Sequence, residues 1–369
     1  MKKFLCLMTM ALLVCPATTA TAQSVTLPAA SPRASVSQTV GITAITIHYG
    51  RPAVNKREIW GQLVPYGLND LGFGTAKAAP WRAGADENTV ITFAHDVRVA
   101  GQPLTAGSYG LFMALSASGE VTVIFSRESG AWGSFFYDEA QDALRVKTQW
   151  EDAPHQEQLT YEFTDVSRSS AILALRWEKK RIPLRFEVAT DALVVANLKR
   201  ELTSAKGFQY QAFVNASTYL LQNNLDLELA LQWAEAAVSR PFIGRRNFLT
   251  LSNQAAVLDK LGRAAEATKL MDEALPLGTP SEIHQYGRRM LNEKRRERAL
   301  EIFQLNAKLH PDVWPVNYGL ARGYSAMGDF KAALAALQKA ARQVPAGDTV
   351  NAAAIKTNLA KLQRGEDIN

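Results

Sequence analysis

The chain has 369 residues, 47% of them apolar, with a formal charge of +6 and two cysteines. That apolar share supports a sizeable core, and the length suits about two domains. With Lys2 and Lys3 set aside, an excess of about four positives is too thin for nucleic-acid binding, which needs charge gathered on one face.

The N-terminus reads "MKKFLCLMTMALLVCPATTATAQ": two lysines, an apolar run from Phe4 to Val14, then small residues ending in Ala20-Thr21-Ala22. This is the grammar of a secretory signal peptide over 1–22, with cleavage after Ala22 and a product exported to the periplasm or outside the cell. The apolar run falls well short of the ~20 residues that cross a bilayer. Cys6 and Cys15 both lie in this segment, so the mature chain is expected to carry no thiol and no disulfide. A lipid anchor at Cys15 is disfavoured because Val14 stands where a small residue is wanted.

After a linker over 23–34, a β-rich domain is expected over 35–190. "AITIHYG" puts Ile45, Ile47 and Tyr49 on one face and Thr46 and His48 on the other, and "SYGLFMAL" and "VTVIFS" repeat the alternation. "AGQP", "TAGS" and "SASGE" supply turns between antiparallel strands. Further strands read at "LRVKTQW", "QLTYEF", "SAILALRW" and "IPLRFEV", the last two joined by "EKKR" as a hairpin. The fold class expected is an all-β sandwich or barrel-like domain.

Residues 191–208 read as a linker, 209–345 as an all-α solenoid of helical repeats, and 346–369 as a capping helix and tail. In "NYGLARGYSAMGDFKAALAALQKAARQVP", Leu320, Ala321, Tyr324, Gly328, Phe330, Ala333, Leu337, Ala340 and Pro345 fall where tetratricopeptide repeats, which this half resembles, place large, small, turn and terminating residues. Ala299, Phe303 and Pro311 precede Ala333, Leu337 and Pro345 by one 34-residue period. Gly262, Ala267, Met271 and Ala274 mark a third copy, and "LELALQWAEAAVSRP" a weaker one. The spacing drifts between the early copies.

"HYGRPAVNKREIWGQLVPYG", "PWRAGADENTVITF", "DVRVAGQPLTAGSYGLF", "VTVIFS" and "AWGSFFYDEAQDALRV", closed by "LRWEKKRIPLRF", resemble domain-of-unknown-function family 2911 over roughly Pro32 to Val188. "LNDLGFGTAKAA" lengthens one loop relative to that family. The resemblance implies an all-β domain and transfers no catalytic residue.

Within "APWRAGADENTVITF", Arg82 offers a planar fork suited to Asp86 or Glu87, and Trp81 a flat apolar face. Two readings follow. Arg82 ties a loop to the sheet, which the need of loop polar groups for partners favours; or Arg51, Arg57, Trp60, Trp81, Arg82, Asp86 and Glu87 line a cleft for an anionic or sugar-like ligand. His48, His95 and His155 lack metal-type spacing and a nucleophile partner. In Asp138-Glu139 and Glu151-Asp152, neighbours on a strand point opposite ways and neighbours in a turn are usually solvated, which argues against acid-base pairs. Tyr109 is in phase with the core, whereas Trp132 and Phe135 to Tyr137 sit in a glycine-flanked loop that reads as a surface patch. Arg288, Arg289, Lys294, Arg295, Arg296 and Arg298 form either a solvated helix face paired with glutamates or a site for an acidic partner.

No cofactor, metal or catalytic motif is implied. The function expected is an exported scaffold in which the repeats recognise a protein or peptide and the β-domain a glycan. The rival is an envelope-associated hydrolase with its site in the β-domain cleft.

Overall fold

The computed structural model describes residues 27–369, so the segment read as a signal peptide, with both cysteines, lies outside the described residues. The chain divides into two compact units between Val194 and Val195. No helix among the described residues is long and apolar enough to cross a membrane.

The first unit is a two-sheet β-sandwich. Its strands are β1 (Arg33–Val40), β2 (Thr43–Gly50), β3 (Val90–Phe93), β4 (Val97–Val99), β5 (Gln102–Leu104), β6 (Gly107–Leu115), β7 (Glu120–Ser126), β8 (Asp142–Gln149), β9 (Glu151–Thr164) and β10 (Ser170–Glu187). One sheet runs β1-β2-β3-β6-β7-β8 and the other β5-β4-β10-β9, all neighbours antiparallel. The alternation in the sequence is the cause of the core. Ile45, Ile47 and Tyr49 point inward with Tyr109, Leu111 and Met113 against Leu159, Tyr161, Leu173 and Leu175 of the second sheet, while His48 stays exposed.

One strand differs from expectation. "EKKR" is not a hairpin: β10 continues through it and pairs with β9 on both sides, Arg176 opposite Thr160 and Arg181 opposite Glu151. The register shifts on either side of Glu178, whose φ is +51°. A bulge moves the inward set from Leu173, Leu175 and Trp177 to Ile182, Leu184 and Phe186. A change of face reads like a chain reversal when only the sequence is in view.

β3 is short, and this sets up the loop that precedes it. It covers β6 only as far as Gly110, leaving the outer half of β6 with an open edge. The chain from 67 to 89 fills that edge: Leu111 N donates to Thr89 O at 2.8 Å, Trp81 and Met113 exchange bonds of 2.9 and 2.8 Å, and Gly67 N donates to Leu115 O at 2.8 Å.

The boundary between units falls inside α1 (Thr190–Glu201), within the stretch read as a linker. The second unit holds four helical hairpins: α2 (Tyr210–Gln222) with α3 (Leu227–Ser239), α4 (Phe248–Lys260) with α5 (Ala264–Ala274), α6 (Pro280–Asn292) with α7 (Arg296–Leu309), and α8 (Trp314–Ala326) with α9 (Phe330–Gln343). α10 (Thr349–Gln363) closes the stack. The repeat residues do what their types suggest: Ala267, Ala299 and Ala333 are buried at close approaches, and Met271, Phe303 and Leu337 fill the space beside them. Pro241, Pro276, Pro311 and Pro345 each stand two residues beyond the end of a second helix. Asn224, Gly262, Lys294 and Gly328 occupy the equivalent turn within each hairpin, all with positive φ.

Candidate functional site

In the β unit the loop from Trp81 to Glu87 is both a knot and the wall of a cavity. Gly50 and Gly84 let the loop close on the end of β2, since a Cβ at Gly50 would lie 2.3 Å from Ala85 O and one at Gly84 2.5 Å from Thr89 Oγ1. Ala83, held at positive φ, has its carbonyl accept from Thr89 Oγ1 at 3.2 Å and from Tyr161 OH at 2.8 Å. Arg82 Nη1 donates to Asp86 O, and its guanidinium lies 4.9 Å from the Phe135 ring centroid. Burial pulls the Arg82 pKa below the ordinary arginine value, with Asp86 acting in the opposite direction.

Beneath the loop, Trp60, Trp81 and Trp177 meet with ring centroids 6.0 Å apart, Trp81 and Trp177 nearly parallel at 15°. Trp150 adds a further edge contact to Trp60 at 5.7 Å. Above them opens a cavity of about 380 Å³, walled by Leu63, Val64, Pro65 and Leu71 and edged by Arg57, Trp81, Arg82, Asp86 and Trp177. Four of the seven residues singled out in the sequence therefore share one cavity. Trp60 packs behind it. Arg51 is tied to β9 through Leu159 O at 3.0 Å and Thr160 Oγ1 at 2.8 Å, and Glu87 pairs with Arg33 at 2.7 Å. Trp177 is not among the seven. Its phase with Leu173 and Leu175 announces a core residue, and nothing local announces the cavity it meets.

The remaining polar candidates of this unit have structural partners. His48 is exposed, His95 Nδ1 lies 3.1 Å from Thr43 Oγ1, and His155 pairs with Glu157 at 3.2 Å. Asp138 caps a short helical turn, Glu139 meets Arg145 at 3.2 Å, Glu151 meets Arg181 at 2.8 Å and Asp152 meets Lys180 at 2.6 Å. Among the described residues no three His, Cys, Asp or Glu side chains gather as a metal site. Trp132 and Phe136 are exposed, and Phe73 joins them by packing on Phe135 and Phe136.

In the helical unit the first helices of the hairpins face a common side. α2 packs on α4 and α6 on α8, but α4 and α6 barely touch. Between these two hairpins a 3-10 turn at Leu275–Leu277 packs against both α4 and α7. The space left is a trough of two adjoining cavities, about 430 and 190 Å³, that share Leu221, Ala256, Tyr286 and Arg289. The Arg289 guanidinium lies 4.6 Å from the Tyr286 ring centroid. Asn253, 9% exposed, donates to Thr218 Oγ1 at 3.0 Å, while its own Oδ1 has no partner. Of the basic run, Arg289 and Arg295 approach Glu293, and Arg298 holds Asp272 and Glu301; Arg288, Lys294 and Arg296 make no ion pair among the described residues.

Farther along the stack His284 lies 5.6 Å from the Phe303 ring, with Nδ1 unpartnered. Burial first, then the charges of Arg322 and Arg288, pull its pKa down from 6.5 to about 4. The unfolded chain then takes up this proton more readily than the folded one, so the neutral histidine's contribution is complete above pH 6.5 and lost as pH falls toward 4. The urea midpoint of the helical unit is expected to drop across that window, and more shallowly in His284→Leu; identical slopes would contradict this account.

Solved structures similar to the chain include the thermophilic TPR protein TTC0263 of Thermus thermophilus, 18% identical, covering 47% of this chain and 91% of that one with a TM-score of 0.31. Another is MamA from residue 41 to its end, from Desulfovibrio magneticus RS-1, at 20% identity, 43% and 97% coverage and a TM-score of 0.28. A third is the C-terminal part of a TPR repeat-containing protein of Cytophaga hutchinsonii, at 14% identity, 47% and 66% coverage and a TM-score of 0.35. No curated protein matches the chain. The β unit, over residues 31–186, matches the family described as Protein of unknown function (DUF2911).

Proposed function

We propose that this chain is an exported binding protein whose helical unit holds an extended segment of a partner protein along α2, α4 and α6. The observation that carries this reading is the trough between α4 and α6 with the orphaned Asn253 Oδ1 beside it. An extended peptide brings one N–H and one C=O per residue, so it can satisfy a buried acceptor while its side chains cover Leu221 and Tyr286. Arg289 and Arg295 border the trough, and Arg288, Lys294 and Arg296 of the same helical hairpin form no ion pairs among the described residues, so this basic excess favours segments rich in Asp and Glu. Export rests on the composition of the first 22 residues.

The test is an array of immobilised peptides, each about ten residues long, probed with the full chain. Acidic, extended sequences are expected to be retained, and Ser252→Trp, which fills the trough, and Arg289→Glu are each expected to weaken retention by about tenfold. Retention of no peptide, or retention unchanged in both variants, would overturn the reading.

A further inference from the structure

The cavity of the β unit is separate from the helical trough, and its chemistry is more specific. At about 380 Å³ it lies within the range of small-molecule sites. Its wall is about half apolar, through Leu63, Val64, Pro65 and Leu71 with the Trp81 and Trp177 rings at its edge, and half polar, through Ser31, Asn69, Ser134 and the charged side chains. Two guanidinium groups border it, and both are held by backbone carbonyls. Arg57 donates to Val54 O at 3.1 Å and to Ala53 O at 2.5 Å, and Arg82 donates to Asp86 O. Neither arginine forms a contact ion pair among the described residues, although most other arginines of this unit do; Asp86 acts on Arg82, and Arg57 on Glu157, only through space. The Asp86 carboxylate is the one acidic group on the cavity wall and makes no ion pair either. Trp177 is 1% exposed, and its indole N–H has no acceptor.

A guanidinium that is held in place by backbone carbonyls yet lacks a paired carboxylate is set for one, because the fork matches two carboxylate oxygens and is already oriented. Two such groups beside the apolar half of the wall ask for a ligand with an anionic head and an apolar body. Asp86 disfavours a second or third negative charge close by, which argues against di- and triphosphates. The wall is also rigid: Gly50 and Gly84 are packed to the limit, and Ala83 O is held by two donors. The cavity is thus formed before any ligand arrives, which lowers the cost of binding.

We infer that the β-unit cavity is a binding site for a small organic monocarboxylate with an apolar or aromatic body, its carboxylate held between Arg57 and Arg82. Binding here does not depend on the peptide reading of the helical unit.

The experiment is isothermal titration of the full chain with phenylacetate, hexanoate and indole acetate, alongside phenylacetamide as the neutral partner of the first. At least one carboxylate is expected to bind, and phenylacetamide to bind about tenfold more weakly than phenylacetate if that acid is the one bound, or not at all. Arg57 is exposed and bonded only within its own turn, so Arg57→Gln is expected to keep the wild-type urea midpoint and lose about tenfold in affinity. Arg82→Gln removes part of the knot as well and serves as the second variant, read only where its circular dichroism matches wild type. Three outcomes overturn the inference: none of the carboxylates binds at millimolar concentration, acid and amide bind equally, or Arg57→Gln binds like the wild type.

Discussion

Trp177→Ala is expected to cost the β unit about 3–5 kcal/mol, the usual range for deleting a fully buried tryptophan. Trp177 is 1% exposed and packs against both Trp60 and Trp81, whose rings are each 6.0 Å away. Removing the indole opens a hole continuous with the cavity of about 380 Å³, so little protein lies above it that can sink into the space. The proposed site at Arg82 is expected to weaken along with the stability, because Trp81 would lose its stacked partner and keep only its edge contact to Trp60. Urea unfolding followed by near-ultraviolet circular dichroism measures the effect. Trp177→Phe, which keeps an aromatic floor, is expected to lose less. A penalty below about 1 kcal/mol for the alanine variant would mean that the tryptophan cluster does not support this end of the sandwich.

Phe303→Ala is expected to cost the helical unit a similar amount, about 3–5 kcal/mol, for a different geometric reason. The Phe303 ring is wholly buried in a slot whose walls are glycines: a Cβ at Gly287 of α6 would come within 2.5 Å of it, and one at Gly319 of α8 within 2.7 Å. The glycine walls have no side chain to swing into the vacated space, which leaves only His284 beside the ring to adjust short of moving whole helices. Far-ultraviolet circular dichroism during urea titration checks this, since α-helix content reports the second unit. Phe303→Leu is expected to recover part of the loss, as Leu337 of α9 fills the corresponding position in the next hairpin. Near-wild-type stability of the alanine variant would show that α6 and α8 close over the gap.

How much of this can be read from residues alone varies with the range of the interaction involved. The alternation at Ile45, Ile47 and Tyr49 and the repeat positions of Ala333, Leu337 and Pro345 are local signals, and the fold follows them. The early repeats are harder to see because the turn at positive φ is filled by glycine only at Gly262 and Gly328. Asn224 and Lys294 do the same work without the marker. The hairpin expected at "EKKR" fails because a bulge and a reversal change the facing residues alike, and only the continued pairing with β9 separates them. At the cavity, Arg57, Trp81, Arg82 and Asp86 are close enough in sequence to be grouped by eye. Trp177 arrives from a strand about a hundred residues later through sheet stacking, which no short-range pattern encodes.

The bulge at Glu178 also constrains how this chain can vary. Because it sets which alternate residues of the last nine positions of β10 look inward, a single-codon deletion there would turn Ile182, Leu184 and Phe186 outward and drive Arg181 and Arg185 into the interior. Point changes on the solvent side of that stretch are tolerable, whereas changes of length are not. Natural variants of the domain should therefore preserve the residue count between Trp177 and Ile182 more strictly than the residues themselves.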